Sequence, residues 1–131
     1  MADSKIATDL YAMAEKDRRS ARILLDADGD NEVVCFHCQQ AVEKAFKGYL
    51  VSQTGMLQDG HNLSRLVLKA MQFEPGFQQH KKDAAFLNSY YMETRYPSDD
   101  PMIICKEDVV ECMEIMERIL IFVEESGKPS L

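Results

Sequence analysis

The sequence predicts an all-α protein, a five-helix up-down bundle. Three observations carry that prediction. Apolar residues recur at helical spacing through most of the chain, and no stretch of any length alternates in the manner of a strand. The breaks between periodic segments hold Gly, Pro, Asp and Asn. Those breaks are short, which places successive long helices antiparallel. At 131 residues the chain suits one domain, with a core over about 6–123 and a frayed tail at 127–131.

The first helix is expected from about Lys5 to Asp26, with Ile6, Leu10, Met13, Ala14, Ala21 and Leu24 on one side. The Asp28–Asn31 stretch is a turn. The second helix spans about Glu32 to Gln53 and stops at Thr54-Gly55, with the glycine just past its end. A short third helix, about Asn62 to Gln72, follows the Asp59-Gly60-His61 loop, and Glu74-Pro-Gly76 breaks the chain again. The fourth covers about Phe77 to Thr94, ended by the two prolines of 97–101. The fifth runs from about Lys106 to Glu125 on a stripe of Val109, Cys112, Met113, Met116, Ile119, Leu120 and Val123.

Helix two is the most informative. On a helical wheel its buried side is Val34, Cys38, Ala41, Val42, Ala45 and Tyr49. Nearly opposite, His37, Gln40, Lys44 and Lys47 fall in one row, with Glu43 beside them. A row of cations and neutral donors can address a phosphate or a base edge. The same row also reads as a solvated face carrying a Glu43–Lys47 pair at i,i+4. Phe36 beside it suggests a partner surface, a dimer interface. In helix one, Asp17 interrupts the apolar stripe, where a carboxylate needs a cation or hydrogen-bond donors. Asn88 and Arg95 lie near the buried side of helix four, so an Asp17–Arg95 or Asp17–Lys44 pair is expected.

Charge and composition narrow the function classes. The net charge of −7 argues against a surface coated for nucleic acid, so RNA is not a favoured partner. Basic residues cluster at Arg18-Arg19 with Arg22, at Lys44 with Lys47 and at Lys81-Lys82; each can be a local cationic site or a plain solvated helix face, and Lys81-Lys82 reads as the latter. No apolar run approaches the roughly 20 residues of a membrane span, and the N-terminus shows no signal-peptide stretch; a cytoplasmic protein is expected, with no membrane role. Cys35 and Cys38 form a C-x-x-C inside a helix, without a second zinc knuckle, so no metal site is expected. There is no phosphate-binding G-x-x-x-x-G-K-[ST] and no nucleotidyltransferase arrangement of glycine-serine and paired aspartates.

The order of these motifs resembles the HEPN family (higher eukaryotes and prokaryotes nucleotide-binding domain), small stand-alone prokaryotic type, over about Ile6 to Val123. The carriers are the Asp17 region with Ala21 and Leu24-Leu25, then the stretch from Phe36 through Gln39-Gln40-Ala41-Val42-Glu43-Lys44-Ala45-Phe46-Lys47 to Leu50. His61-Asn62-Leu63 with Leu66 and the Tyr91-to-Pro97 element containing Thr94-Arg95-Tyr96 complete it. The resemblance implies a homodimer and a minimal nucleotidyltransferase as partner, in a toxin–antitoxin-type pair. Some branches of the family are metal-independent ribonucleases with an Arg, four to six residues, then His at the end of helix four. Here Arg95 is followed by Tyr-Pro-Ser-Asp-Asp-Pro-Met-Ile, without that histidine.

The expectation is therefore a non-catalytic module that binds a nucleotide or a nucleotide-loaded nucleotidyltransferase, with no cofactor. Lys44, Lys47 and Arg95 would address phosphate; His37, Gln40, His61 and Tyr96 would position base or ribose; Asp17 and Asn88 would be buried polar partners. The alternatives are a ribonuclease toxin with a degenerate site using Arg95 and His61, and a purely structural dimeric partner-binding protein.

Overall fold

The computed structural model describes residues 2–91 and 103–127, with side chains from residue 5 onward. It contains α1 (Ala2–Asp26), α2 (Asn31–Thr54), α3 (Leu63–Met71), a 3-10 turn (Pro75–His80), α4 (Lys81–Asn88) and α5 (Lys106–Ser126). No strand occurs among the described residues, and none of their helices is long and apolar enough to cross a membrane.

Helix α2 is the axis of the bundle, packed by α1, α3, α4 and α5. The predicted apolar side, Val34, Cys38, Ala41, Val42, Ala45 and Tyr49, is buried as expected. Burial continues around the helix through Cys35, Phe46, Leu50 and Val51. Phe77 plugs the far side, with ring centroids 4.8 Å from Tyr49, 5.9 Å from Phe46 and 4.9 Å from Phe122. Edge-to-face clusters of this kind stabilise a core beyond the area they bury.

The face that α1 buries is the predicted one in part: Ala14 and Ala21 are buried and Leu24 packs against the core, as expected, but the helix is rotated about them. Ala7, Ala14, Asp17 and Ala21 are buried, whereas Ile6 and Met13 are 45% and 43% exposed. Alanines seven apart make a flat strip that lets α1 approach α2 closely, and that approach rotates the larger residues outward. Gly48 on α2 serves the same contact: a Cβ there would lie 2.8 Å from the Tyr11 ring. Between the two helices, Gly29 N–H donates to Leu24 O (2.6 Å) and Asp28 takes a positive φ of 58°.

Ends and caps follow local chemistry. Gly55 closes α2 at φ 74°, its N–H on Val51 O at 2.8 Å. Asn62 caps α3 by accepting from Arg65 N at 3.2 Å. Glu74 accepts from Gly76 N at 2.8 Å and starts the 3-10 turn. At the start of α5, Cys105 N–H donates to Asp108 Oδ2 at 2.9 Å, which holds the Asp108 carboxyl below its ordinary range.

The expected single fourth helix from Phe77 to Thr94 is corrected. The chain makes the 3-10 turn first, and α4 stops at Asn88; Tyr90 and Tyr91 continue only in turn bonds to Leu87 O and Asn88 O. Asn88 Oδ1 accepts the Leu63 N–H (2.8 Å) and Ser89 Oγ donates to Phe86 O (2.8 Å). Side chains that take up polar groups in this way compete with helix propagation. Residues 92–94, with Arg95 and Tyr96, lie outside the described residues.

The C-x-x-C motif is core. Cys35, Cys38 and Cys112 are buried, and Cys38 Sγ donates to Met113 Sδ at 3.5 Å. A bond with Cys35, then burial, pushes the Cys112 thiol up; burial does the same to Cys38.

Candidate functional site: a polar cleft along α2

The polar row of α2 does not face open solvent. It lies between Asp17 of α1 on one side and the 61–63 segment on the other, a partly buried strip here called the polar cleft. Asp17 projects from the edge of α1 into this cleft, where Lys44 Nζ stands 2.5 Å from Oδ2 and His37 Nδ1 3.0 Å from Oδ1. The Asp17–Lys44 pair predicted from the sequence is therefore present, and the Asp17–Arg95 alternative falls outside the described residues.

One helical turn further along α2, the same arrangement is repeated on Glu43. Lys47 Nζ lies 3.1 Å from Oε2, and His61 Nδ1 lies 3.0 and 3.1 Å from the two carboxylate oxygens. The Glu43 side chain is 5% exposed and that of Lys47 12%, so this i,i+4 pair joins a buried carboxylate to a half-buried ammonium and is not a freely solvated one. Two glutamines close the shell. Gln40 donates to Gln39 Oε1 at 2.8 Å, and Gln39, fully buried, donates to His61 O at 3.3 Å. A carboxylate so deep is tolerated because its lone pairs are filled by donors, two of them cationic or able to become so.

The two carboxylate–lysine–histidine groups are joined by rings. His61 stacks on Tyr91 at 4.3 Å and 17°; Tyr91 meets Phe36 at 6.3 Å; Phe36 meets His37 edge-on at 5.9 Å. Phe36, read in the sequence as a partner-facing aromatic, is half-buried here between His37 and Tyr91.

Chemically the cleft has two features. Two carboxylates offset two lysine ammoniums, so a phosphate entering it must compete with partners already in place. Each histidine turns Nδ1 to a carboxylate, an arrangement that suits the tautomer with its hydrogen on Nδ1 and an acceptor at Nε2. In that tautomer each Nε2 is a hydrogen-bond acceptor for hydroxyl, amine or amide groups.

Of the residues singled out from the sequence, His37, Gln40, Lys44, Lys47, His61 and Asp17 come together here. Asn88 sits at the cleft's margin, tied to Leu63 N and, at 3.2 Å, to Asn62 Oδ1. It braces the start of α3 and is half-buried, a polar partner of the Leu63 backbone. Sequence reasoning missed Glu43 as a hub, Gln39 as its buried donor and Tyr91 as a stacking ring. The Gln39–Glu43–Lys47 spacing at i,i+4 was the available signal. The Arg18 cluster is not part of the cleft: Arg18 Nε donates to Glu117 at 2.8 Å and Nη1 to Glu15 at 3.0 Å.

The chain matches the HEPN domain model over residues 7–126. It is similar to the crystal structure of TT1696 from Thermus thermophilus, with 30% identity over 91% of this chain and 96% of that one, and a TM-score of 0.79. It is also similar to ST0689, an archaeal HEPN homologue, at 28% identity over 93% of this chain and 98% of that one, with a TM-score of 0.69. No curated protein matches it.

Proposed function

The chain belongs to the HEPN domain family, and from that premise we propose that it is a non-catalytic HEPN module whose polar cleft binds a nucleotide. The observation that carries this reading is the stacked His61–Tyr91 pair beside half-buried Lys47 and Gln40. A ring pair of this kind offers a surface for a base, and the two Nε2 acceptors suit ribose hydroxyls or exocyclic amines. Because Lys44 and Lys47 are already paired, base and ribose contribute more to recognition than phosphate does. Arg95 and Tyr96, four and five residues beyond Tyr91 in the sequence, are assigned to phosphate and base in the same reading. A minimal nucleotidyltransferase carrying its own nucleotide is the partner that would present such a ligand.

Calorimetry with ATP, GTP, AMP and adenosine tests this. The expected result is saturable binding, with adenosine within about tenfold of ATP and His61→Ala weakening both. Absence of binding to all four at millimolar concentration overturns it. Arg95-dependent cleavage of total RNA would replace it with a ribonuclease reading.

A further inference from the structure

The hydrogen bonds around Glu43 have a fixed polarity. A carboxylate held by a lysine ammonium only accepts, so each group that touches it brings a hydrogen. Gln40 turns both amide hydrogens inward, to Gln39 Oε1 at 2.8 Å and to Glu43 Oε1 at 3.4 Å. Gln39 turns its own to Glu43 Oε1 at 3.4 Å and to His61 O at 3.3 Å. A carboxylate and a backbone carbonyl are acceptors, which decides the nitrogen end of each amide. Gln39 Oε1 is then taken by Gln40. Gln40 Oε1 is left, with no donor on it among the described residues.

His61 follows the same rule. Its Nδ1 lies 3.0 and 3.1 Å from the two Glu43 oxygens, which suits the tautomer with an acceptor at Nε2. Gln40 and His61 both hang from Glu43 Oε1, so their acceptors belong to neighbouring side chains. The Lys44 and Lys47 side chains are 21% and 12% exposed against 49% for His61. The ammonium donors of the strip therefore lie deeper than the imidazole acceptor.

Two neighbouring acceptors select a ligand edge by the sign of its hydrogen bonds. Guanine carries two adjacent donors on one edge, N1–H and the N2 amine. Adenine and cytosine set a single amine beside a ring acceptor, and hypoxanthine has N1–H alone. An acceptor set against another acceptor loses its water without replacement. A base edge-on to His61 Nε2 lies in the plane of the imidazole, nearly parallel to the Tyr91 ring, which stands 4.3 Å from His61 at 17°.

We propose that Gln40 and His61 make the polar cleft selective for guanine, Gln40 Oε1 and His61 Nε2 accepting from N1–H and the N2 amine. This rests on the nucleotide reading and narrows it to one base.

Calorimetry on the full chain with GMP, IMP, 1-methyl-GMP and AMP tests it. IMP lacks only the N2 amine, and 1-methyl-GMP lacks only the N1 hydrogen. GMP is expected to bind tightest, with IMP and 1-methyl-GMP each at least about fivefold weaker, the value of one net hydrogen bond, and AMP no tighter than IMP. Gln40→Met, which removes the outward acceptor at similar length, should weaken GMP about fivefold and AMP less. The His61 ring gives a readout that needs no ligand: long-range proton–nitrogen spectra at neutral pH should place the hydrogen on Nδ1 alone. A hydrogen on Nε2 overturns the proposal. IMP or AMP binding as tightly as GMP overturns it too and leaves the nucleotide reading standing. Absence of binding by all four at millimolar concentration overturns both.

Discussion

The two edges of α1 solve opposite problems. Along the Asp17 edge, charge is buried and completed: Asp17 and Glu43 each hold one lysine and one histidine, and the buried Gln39 fills part of what remains. Along the Tyr11 edge little charge is buried, yet a phenol hydroxyl is left without a partner over an apolar floor. α1 contributes side chains to both regions, Asp17 to one and Tyr11 to the other, and the contrast lies in those side chains. A polar strip whose partners are already in place binds by substituting for contacts it already has. An unsaturated one gains from contacts it lacks.

The sharpest way to break this comparison is to unsaturate the first cleft. Glu43→Ala strands Lys47, whose side chain is 12% exposed, and frees His61. A loss of about 3 kcal/mol in denaturant unfolding is expected, or about 10 °C in Tm. Adding Lys47→Met should recover a large part, because the stranded charge causes most of the cost. A loss below about 1 kcal/mol for Glu43→Ala would mean that the cleft is wetter and less coupled than its geometry implies.

A smaller effect sharpens the comparison from the other edge. Tyr11→Phe deletes a hydroxyl that has no partner, so stability should be unchanged or rise by up to about 1 kcal/mol. Unfolding of that variant is the measurement. A loss of more than about 1 kcal/mol would reveal a hydrogen bond made in solution and would bring the two edges closer together.

Much of this was legible in the sequence. The helix order, the Gly55 stop and the apolar side of α2 follow from periodicity and turn chemistry, which act over a few residues. The pairing of Asp17 with Lys44 was readable because a carboxylate in an apolar stripe demands a cation. What escaped depends on how elements meet. The burial of Glu43 and Gln39 comes from His61 arriving from a loop, which no wheel of α2 contains. The rotation of α1, which keeps the predicted Ala14 and Ala21 inward but turns Ile6 and Met13 outward, comes from the close approach over Gly48. Hydrophobicity alone ranks those residues the other way. The early end of α4 depends on Asn88 being used by the start of α3, a contact 25 residues away in sequence.

His80 adds a proton balance to this fold. Its ring is buried against Phe122 at 4.8 Å with neither nitrogen partnered. Burial lowers its pKa, with the Asp83 charge opposing and Arg118 reinforcing the shift. The unfolded chain therefore binds a proton at this position more readily than the native one. Its contribution is fully present above the ordinary histidine pKa of about 6.5 and is lost as pH falls from there toward the depressed native value. Acidification thus drives proton uptake on unfolding. Melting curves between neutral and mildly acidic pH should show a shallower loss of Tm in His80→Leu than in the parent chain. Parallel slopes would mean that the ring reaches water before the rest of the bundle opens.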